Sequence, residues 1–260
     1  MKIIVCVKSV PDTAAPIRVK SDSTAIDSEG LPFVMNPYDE FAVEEALRIK
    51  ERHGQAEITA VSVGGIRAKE VLRVALSMGV DRAIQVADPD FEDLDSLGIA
   101  RVLAKVVGKL TFDLLLCGKQ AVDMDSAQVG PGLAEMLGLP QIGVVTKLEF
   151  DDSWRTLRAH RQIEGATEIV EAPLPCVITT QKGLNEPRYP SLKGILAAKK
   201  KEIPEWNHSQ LESVELSPSR VKTLALKSPP PRNPGRLLAG EVQDQVKELV
   251  RLLREEAKVI

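Results

Sequence analysis

Short β-branched runs alternate with amphipathic stretches through the first half of the chain. Apolar segments at residues 3 to 7, 58 to 63, 83 to 86 and 113 to 117 have the length and composition of strands. Between them, Tyr38 to His53 sets Ala42, Ala46, Leu47 and Ile49 beside Glu44, Glu45, Arg48 and Lys50, which is helical periodicity. Arg67 to Met78 and Leu97 to Leu110 repeat it. This rhythm predicts parallel strands joined by crossover helices. Near Gly143 the pattern changes: Val144 to Phe150, Thr156 to Ile163, Thr167 to Ala172 and Cys176 to Thr180 are strand-like pieces separated by turns with no room for a helix. They are expected to be antiparallel and to extend the sheet at one edge.

Periodicity lapses after Ile203, and the prolines of residues 228 to 235 suit a linker, since they lack amide donors. Beyond it, Val242, Val246, Leu249, Val250 and Leu253 line one face of a final helix, a stripe that must be buried in the chain's own core or on a partner. The predicted architecture is α/β: three layers around a mostly parallel, Rossmann-like sheet, with an antiparallel extension and a C-terminal helical arm. Residues 1–203 form the expected α/β domain and 204–260 the arm.

Composition narrows the function. A chain of 260 residues can bury a full core, and 43% hydrophobic with 27% charged residues is ordinary for a globular protein. Aromatics at 3% are too few for base-stacking platforms, and a net charge of -3 supplies no general attraction for nucleic acid or anionic lipid. Cys6, Cys117 and Cys176 each sit in an apolar run and read as buried thiols of a reducing compartment. With no leader-like opening and no apolar run of transmembrane length, a cytoplasmic location without membrane insertion is expected.

In an open parallel sheet, ligands sit beyond the carboxyl ends of the strands. Two loops qualify. Gly118, Lys119, Gln120, Ala121, Val122, Asp123, Met124, Asp125, Ser126, Ala127, Gln128 and Val129 follow a strand and open a helix expected to begin near Ser126, capped by Asp125 or Ser126. Free amides in its first turn would favour a phosphate, although capping alone explains the same residues. Asn36, Pro37, Tyr38 and Asp39 form a second strand-end turn, in which the Asn36 amide could bond a base or ribose, or simply cap the helix. Val63 with Gly64 and Gly65 leaves room for an adenine or ribose. No Walker loop or G-x-G-x-x-G is present, His53, His160 and His208 lack metal-ligand spacing, and no G-x-S-x-G elbow appears.

The stretch from Leu184 through Asn185, Glu186, Pro187, Arg188, Tyr189, Pro190, Ser191 and Leu192 to Ile195, Lys199, Lys200 and Lys201 resembles the signature of the electron transfer flavoprotein β subunit. Residues 5–8, 35–38, 118–130 and 240–254 are similar to that family as well, so the likeness spans nearly the whole chain. The resemblance implies a heterodimer in which an α subunit carries most of the redox FAD site, while this subunit holds a structural AMP. Cys6, residues 36–39, Val63 and residues 118–129 match the AMP site by position. Tyr38 also matches an aromatic position near the flavin ring. Leu192 matches the docking leucine for acyl-CoA and other dehydrogenases, whose electrons would pass through FAD to a quinone-linked oxidoreductase. The resemblance implies redox relay without substrate catalysis of the chain's own.

Three departures from the family pattern stand out: Gln162 where a glutamate is frequent, Ala166 in place of a second glycine, and Thr13 where some relatives carry a tyrosine. A neutral Gln162 would offer a partner arginine only a weaker hydrogen bond. Two other readings stay open, an electron-bifurcating flavoprotein with a second FAD in place of AMP, and a free-standing nucleotide-binding module of universal-stress type.

Overall fold

The computed structural model describes residues 1–91, 93–211, 219–231 and 234–260. Arg232 and Asn233 of the proline-rich linker lie outside the described residues. Among the described residues nine strands form one sheet. Its centre is β1 (Lys2–Cys6), flanked by β4 (Glu57–Val63) and β6 (Leu114–Gly118), with β5 (Arg82–Val86) next to β4, all parallel. A separate small hairpin pairs β2 (Ser9–Pro11) with β3 (Phe33–Met35). The central strands are mostly apolar, with buried residues pointing to both sides, because helices cover both faces. On one face α1 (Pro37–His53) and α2 (Ile66–Met78) bury Ala42, Ala46, Ile49, Leu72 and Ala75 against Ile3, Val5, Ile58 and Leu116. On the other, α3 (Ser96–Gly108) and α4 (Val129–Leu137) cover Ile4, Val61, Ile84 and Leu115. Three layers and a mostly parallel sheet are as the sequence pattern predicts.

Residues 141–180 depart from expectation in one respect. β7 (Gln141–Phe150), β8 (Thr156–Ile163) and β9 (Ala166–Pro173) are antiparallel and extend the sheet's edge. β10 (Cys176–Thr180) is not part of that extension: it inserts between β6 and β7, parallel to both. The physical reason is burial, since all five of its residues are buried, as suits a strand covered on both faces. A β-hairpin, β8 with β9, makes the crossover that a helix makes elsewhere.

Beyond β10, α5 (Leu192–Lys200) packs on α2, and β11 (Glu205–Trp206) adds to the sheet beside β5. The chain therefore contributes a strand beyond residue 203, and Leu211 is fully buried with the α3 and α4 layer. The last helix, α6 (Val242–Arg251), continues as a π-helical turn over Leu252–Glu256. It buries none of its residues within this chain: Val242, Val246, Leu249 and Val250 are all exposed. Among the described residues nothing buries that stripe, although Leu253 at its end is half-buried. Among the described residues no helix is long and apolar enough to cross a membrane.

The central position of β10 gives a direct check. Ile178→Ala, at a fully buried position in the core, should cost about 2–5 kcal/mol in denaturant unfolding, the range for a core truncation. A loss below about 0.5 kcal/mol, the scale of surface substitutions, would place the strand at an exposed edge.

Candidate functional site

The carboxyl ends of β1, β4, β6 and β10 share one rim of the sheet, and α1 starts there. The helix begins at Pro37, a favoured first position because proline's missing amide would have no intrahelical partner. That start carries Asp39 into the rim with only 6% of its surface exposed. One carboxylate oxygen accepts from the Lys8 amide just after β1 at 2.7 Å, and the other from the Gly118 amide at the end of β6 at 3.0 Å. One side chain thus ties α1 to two adjacent strand ends. Gly118 is required by this closeness: a Cβ there would lie 2.7 Å from Tyr38 Cβ and closer still to Asp39 Oδ1.

Asn36 performs a related task. Its Nδ2 donates to the Gln120 carbonyl at 2.9 Å and its Oδ1 accepts from the Val122 amide at 3.2 Å. The side chain makes no cap bond to α1; it holds the 118–129 loop and also bonds the Asp39 carboxyl. Thr180, fully buried at the end of β10, donates to the Tyr38 carbonyl at 2.8 Å and lies 3.2 Å from that of Cys117. Lys8 Nζ pairs with Asp123 at 2.7 Å on the partly exposed rim, a contact of modest worth. Lys119 Nζ stands 4.9 Å from the centre of the Tyr38 ring. Cys6 and Cys117 are buried side by side on β1 and β6; the hydrogen bond between them, with burial, pushes the Cys117 thiol well up, so it stays neutral.

The tip of the loop is open. Residues 123–128 are exposed, and the chain adopts left-handed backbone at Asp125 (φ 49°) and Ala127 (φ 51°). Alanine in that region costs about 1–3 kcal/mol and persists where the surroundings demand it. The expected helix start near Ser126 is corrected here: α4 begins at Val129, because left-handed residues cannot lie in a right-handed helix. Neither anticipated cap operates. Asp125 accepts from Gln120 Nε2 at 2.6 Å, and Ser126 Oγ lies 2.9 Å from Ser96 Oγ. Left-handed Ala127 is followed by right-handed Gln128 (φ -102°, ψ -27°), the kind of backbone alternation from which anion-binding nests are built. α4 has no side-chain cap, so its first amides are left without a side-chain acceptor. Gly130 seats this start tightly on β10, since a Cβ there would lie 2.6 Å from Thr179 Cγ2. Val63 ends β4 at the same rim, followed by Gly64 in a positive-φ conformation.

The signature stretch lies on the α1 and α2 side. Leu184 is partly buried against the core. Asn185 and Arg188 bond to α1, while Glu186 and Tyr189 face outward. Pro187 and Pro190 flank Arg188 and Tyr189, and Ser191 caps α5 by accepting from the Gly194 amide at 3.0 Å. Leu192 opens α5 with 74% of its surface exposed, and Ile195 and Leu196 continue the apolar patch. Lys199 and Lys200 are exposed beside it, whereas Lys201 turns inward and donates to the Val80 and Asp81 carbonyls at 2.8 and 3.1 Å. Gln162 accepts from Gln181 at 3.4 Å; Thr13 and Ala166 are exposed. Lys8 and Thr180 escaped the sequence reading, although a threonine closing an apolar run before a strand end was a usable sign for the second.

The model of the family described as "Electron transfer flavoprotein domain" matches residues 23–211. The chain is 43% identical to electron transfer flavoprotein subunit beta of Bacillus subtilis (strain 168), over the full length of both chains. It is 39% identical to the protein of the same description from Homo sapiens, covering all of this chain and 99% of that one. Against the one from Thermoanaerobacterium thermosaccharolyticum the identity is 38%, covering 97% and 98%.

Asp39 makes the rim sensitive to pH. Burial pushes its carboxyl up to about 7, against the hydrogen bonds from Asn36, Lys8 and Gly118 that favour the charged form. A raised value means the folded protein keeps a proton that the unfolded chain has lost. Its stability contribution is therefore full below the ordinary 3.8 and is lost as pH rises through about 7. Asp39→Asn should flatten that slope in chemical denaturation and cost about 1–3 kcal/mol at low pH, because an NH2 group would face a backbone amide. An unchanged pH profile would contradict the assignment.

Proposed function

The chain belongs to the electron transfer flavoprotein family, as a β subunit, and from that premise we propose that it binds AMP as a structural ligand and docks redox partners onto a flavin carrier. The observation that carries the AMP reading is the open, left-handed loop at Asp125–Gln128 leading into the uncapped start of α4. Amides of that loop and of the first turn of α4 would take the phosphate. Val63 and the Gly64–Gly65 turn would face the adenosine part, and Cys6 and Gly118 the floor between. Asn36 and Asp39, whose polar atoms bond within the chain, would shape the pocket and make no contact with the ligand.

FAD supplies the redox chemistry, held mainly by an α subunit with Tyr38 near its ring. The last helix of the arm packs on that subunit, which the uncovered stripe of α6 supports, since an apolar face of this kind needs a cover. Leu192, with Ile195 and Leu196, is the apolar plug for a pocket on acyl-CoA or other dehydrogenases, and Lys199 and Lys200 steer acidic surfaces to it. Electrons then leave to a quinone-linked oxidoreductase, in the cytoplasm and without a membrane-inserted segment of this chain.

Co-expression with the α subunit, followed by denaturing release of nucleotides, tests this reading. One AMP and one FAD per heterodimer are expected. Two FAD and no AMP would instead identify a bifurcating component, and a stable nucleotide-binding monomer that ignores the α subunit would identify a stand-alone sensing module.

A further inference from the structure

The docking loop has no strand or helix of its own between Thr180 and Leu192, yet it is fastened to α1 by a dense polar cluster. Arg188 supplies most of it. Its Nε and backbone amide donate to Glu44 Oε2 at 2.8 and 3.1 Å, its Nη2 to Glu44 Oε1 at 3.1 Å, and its Nη1 to Glu51 at 2.6 Å. Three residues earlier, Asn185 Nδ2 lies 3.0 Å from both the Phe41 carbonyl and Glu45. Glu44 and Glu45 are 2% and 4% exposed, and charges so deeply placed must be paired. Arg48 takes the remaining direction of Glu44 at 2.8 Å, and Arg52 that of Glu45 at 2.9 Å. Burial works against the charged form of Glu44, but the bonds from Arg188 and Arg48 prevail and hold its carboxyl below the ordinary value.

We propose that Arg188 and Glu44 are positioning residues for partner docking: the guanidinium fork locks the loop to α1 and thereby sets the direction in which Leu192 is presented. The proposal rests on the reading of Leu192 as the docking residue. Only Tyr189, Pro190 and Ser191 separate the clamp from Leu192. On the other side Gly194 packs directly on the Ser77 carbonyl of α2. Leu192 is thus held between two helices of the core. With Arg188 removed, one anchor goes and the loop samples conformations that docking must then freeze out. Lysine cannot replace it, because a point charge lacks the planar fork that engages both oxygens of one carboxylate.

The test uses the heterodimer with its α subunit, a purified acyl-CoA dehydrogenase as electron donor, and the variants Arg188→Ala, Arg188→Lys and Leu192→Ala. Arg188→Ala is expected to speed amide exchange at residues 186–192 and to raise the KM for the dehydrogenase about tenfold with kcat little changed. Arg188→Lys should fall between it and the parent, and provides the comparison if the alanine variant does not fold. Parent-like exchange and KM in the folded Arg188 variants would overturn the proposal, as would a loosened loop with parental KM while Leu192→Ala raises it. Parental KM in Leu192→Ala would instead remove the docking reading, and the clamp's functional role with it.

Discussion

The Asp39 carboxylate is the point on which the rim of the sheet depends. Parallel strands end with unpaired amides, and two of these, from Lys8 and Gly118, point at one buried side chain that accepts both. Because the acceptor belongs to the first turn of α1, the same contacts fix where that helix begins and how it lies on β6. Gly118 must then be glycine, for α1 approaches it too closely for any Cβ. A carboxylate buried to this degree is expensive, and its raised protonation value is the measure of that cost.

With the base of the loop fixed by Asp39 and Asn36, its tip is free to adopt backbone that would not persist alone. Left-handed Asp125 and Ala127 delay the start of α4 until Val129. The strain at the tip and the rigidity at the base are two sides of one arrangement. α1 carries the same order outwards, since its second to fourth turns present Glu44, Glu45 and Glu51 to the loop that displays Leu192. One helix therefore organises both the proposed nucleotide end of the molecule and its proposed docking face.

The sequence disclosed the layers readily, because a sheet covered on both faces needs continuous apolar strands and one-sided helices, and both leave periodic signals. The central place of β10 leaves no such signal, because its hairpin crossover has no helical period to announce it and the run Cys176-Val177-Ile178-Thr179-Thr180 ends in two threonines that only the structure shows to be buried. The start of α4 was misplaced because Asp125 and Ser126 are good caps in isolation; only their tertiary bonds to Gln120 and Ser96 divert them. Leu192 could be named from a resemblance, but its exposure could not, since the same heptad-like spacing of Leu192, Ile195 and Leu196 would equally suit a buried face. Lys201 illustrates the converse, a residue of a charged run that turns inward to cap carbonyls of the α2–β5 turn.

The most direct measurement is hydrogen exchange at individual amides of nucleotide-stripped protein, with and without added AMP. Slowed exchange concentrated at Ala127 to Gly130 is the predicted result, since those N–H groups would acquire a phosphate acceptor. Exchange there that AMP leaves untouched, in protein shown to bind it, would contradict the central claim that this strained loop is the anion cradle.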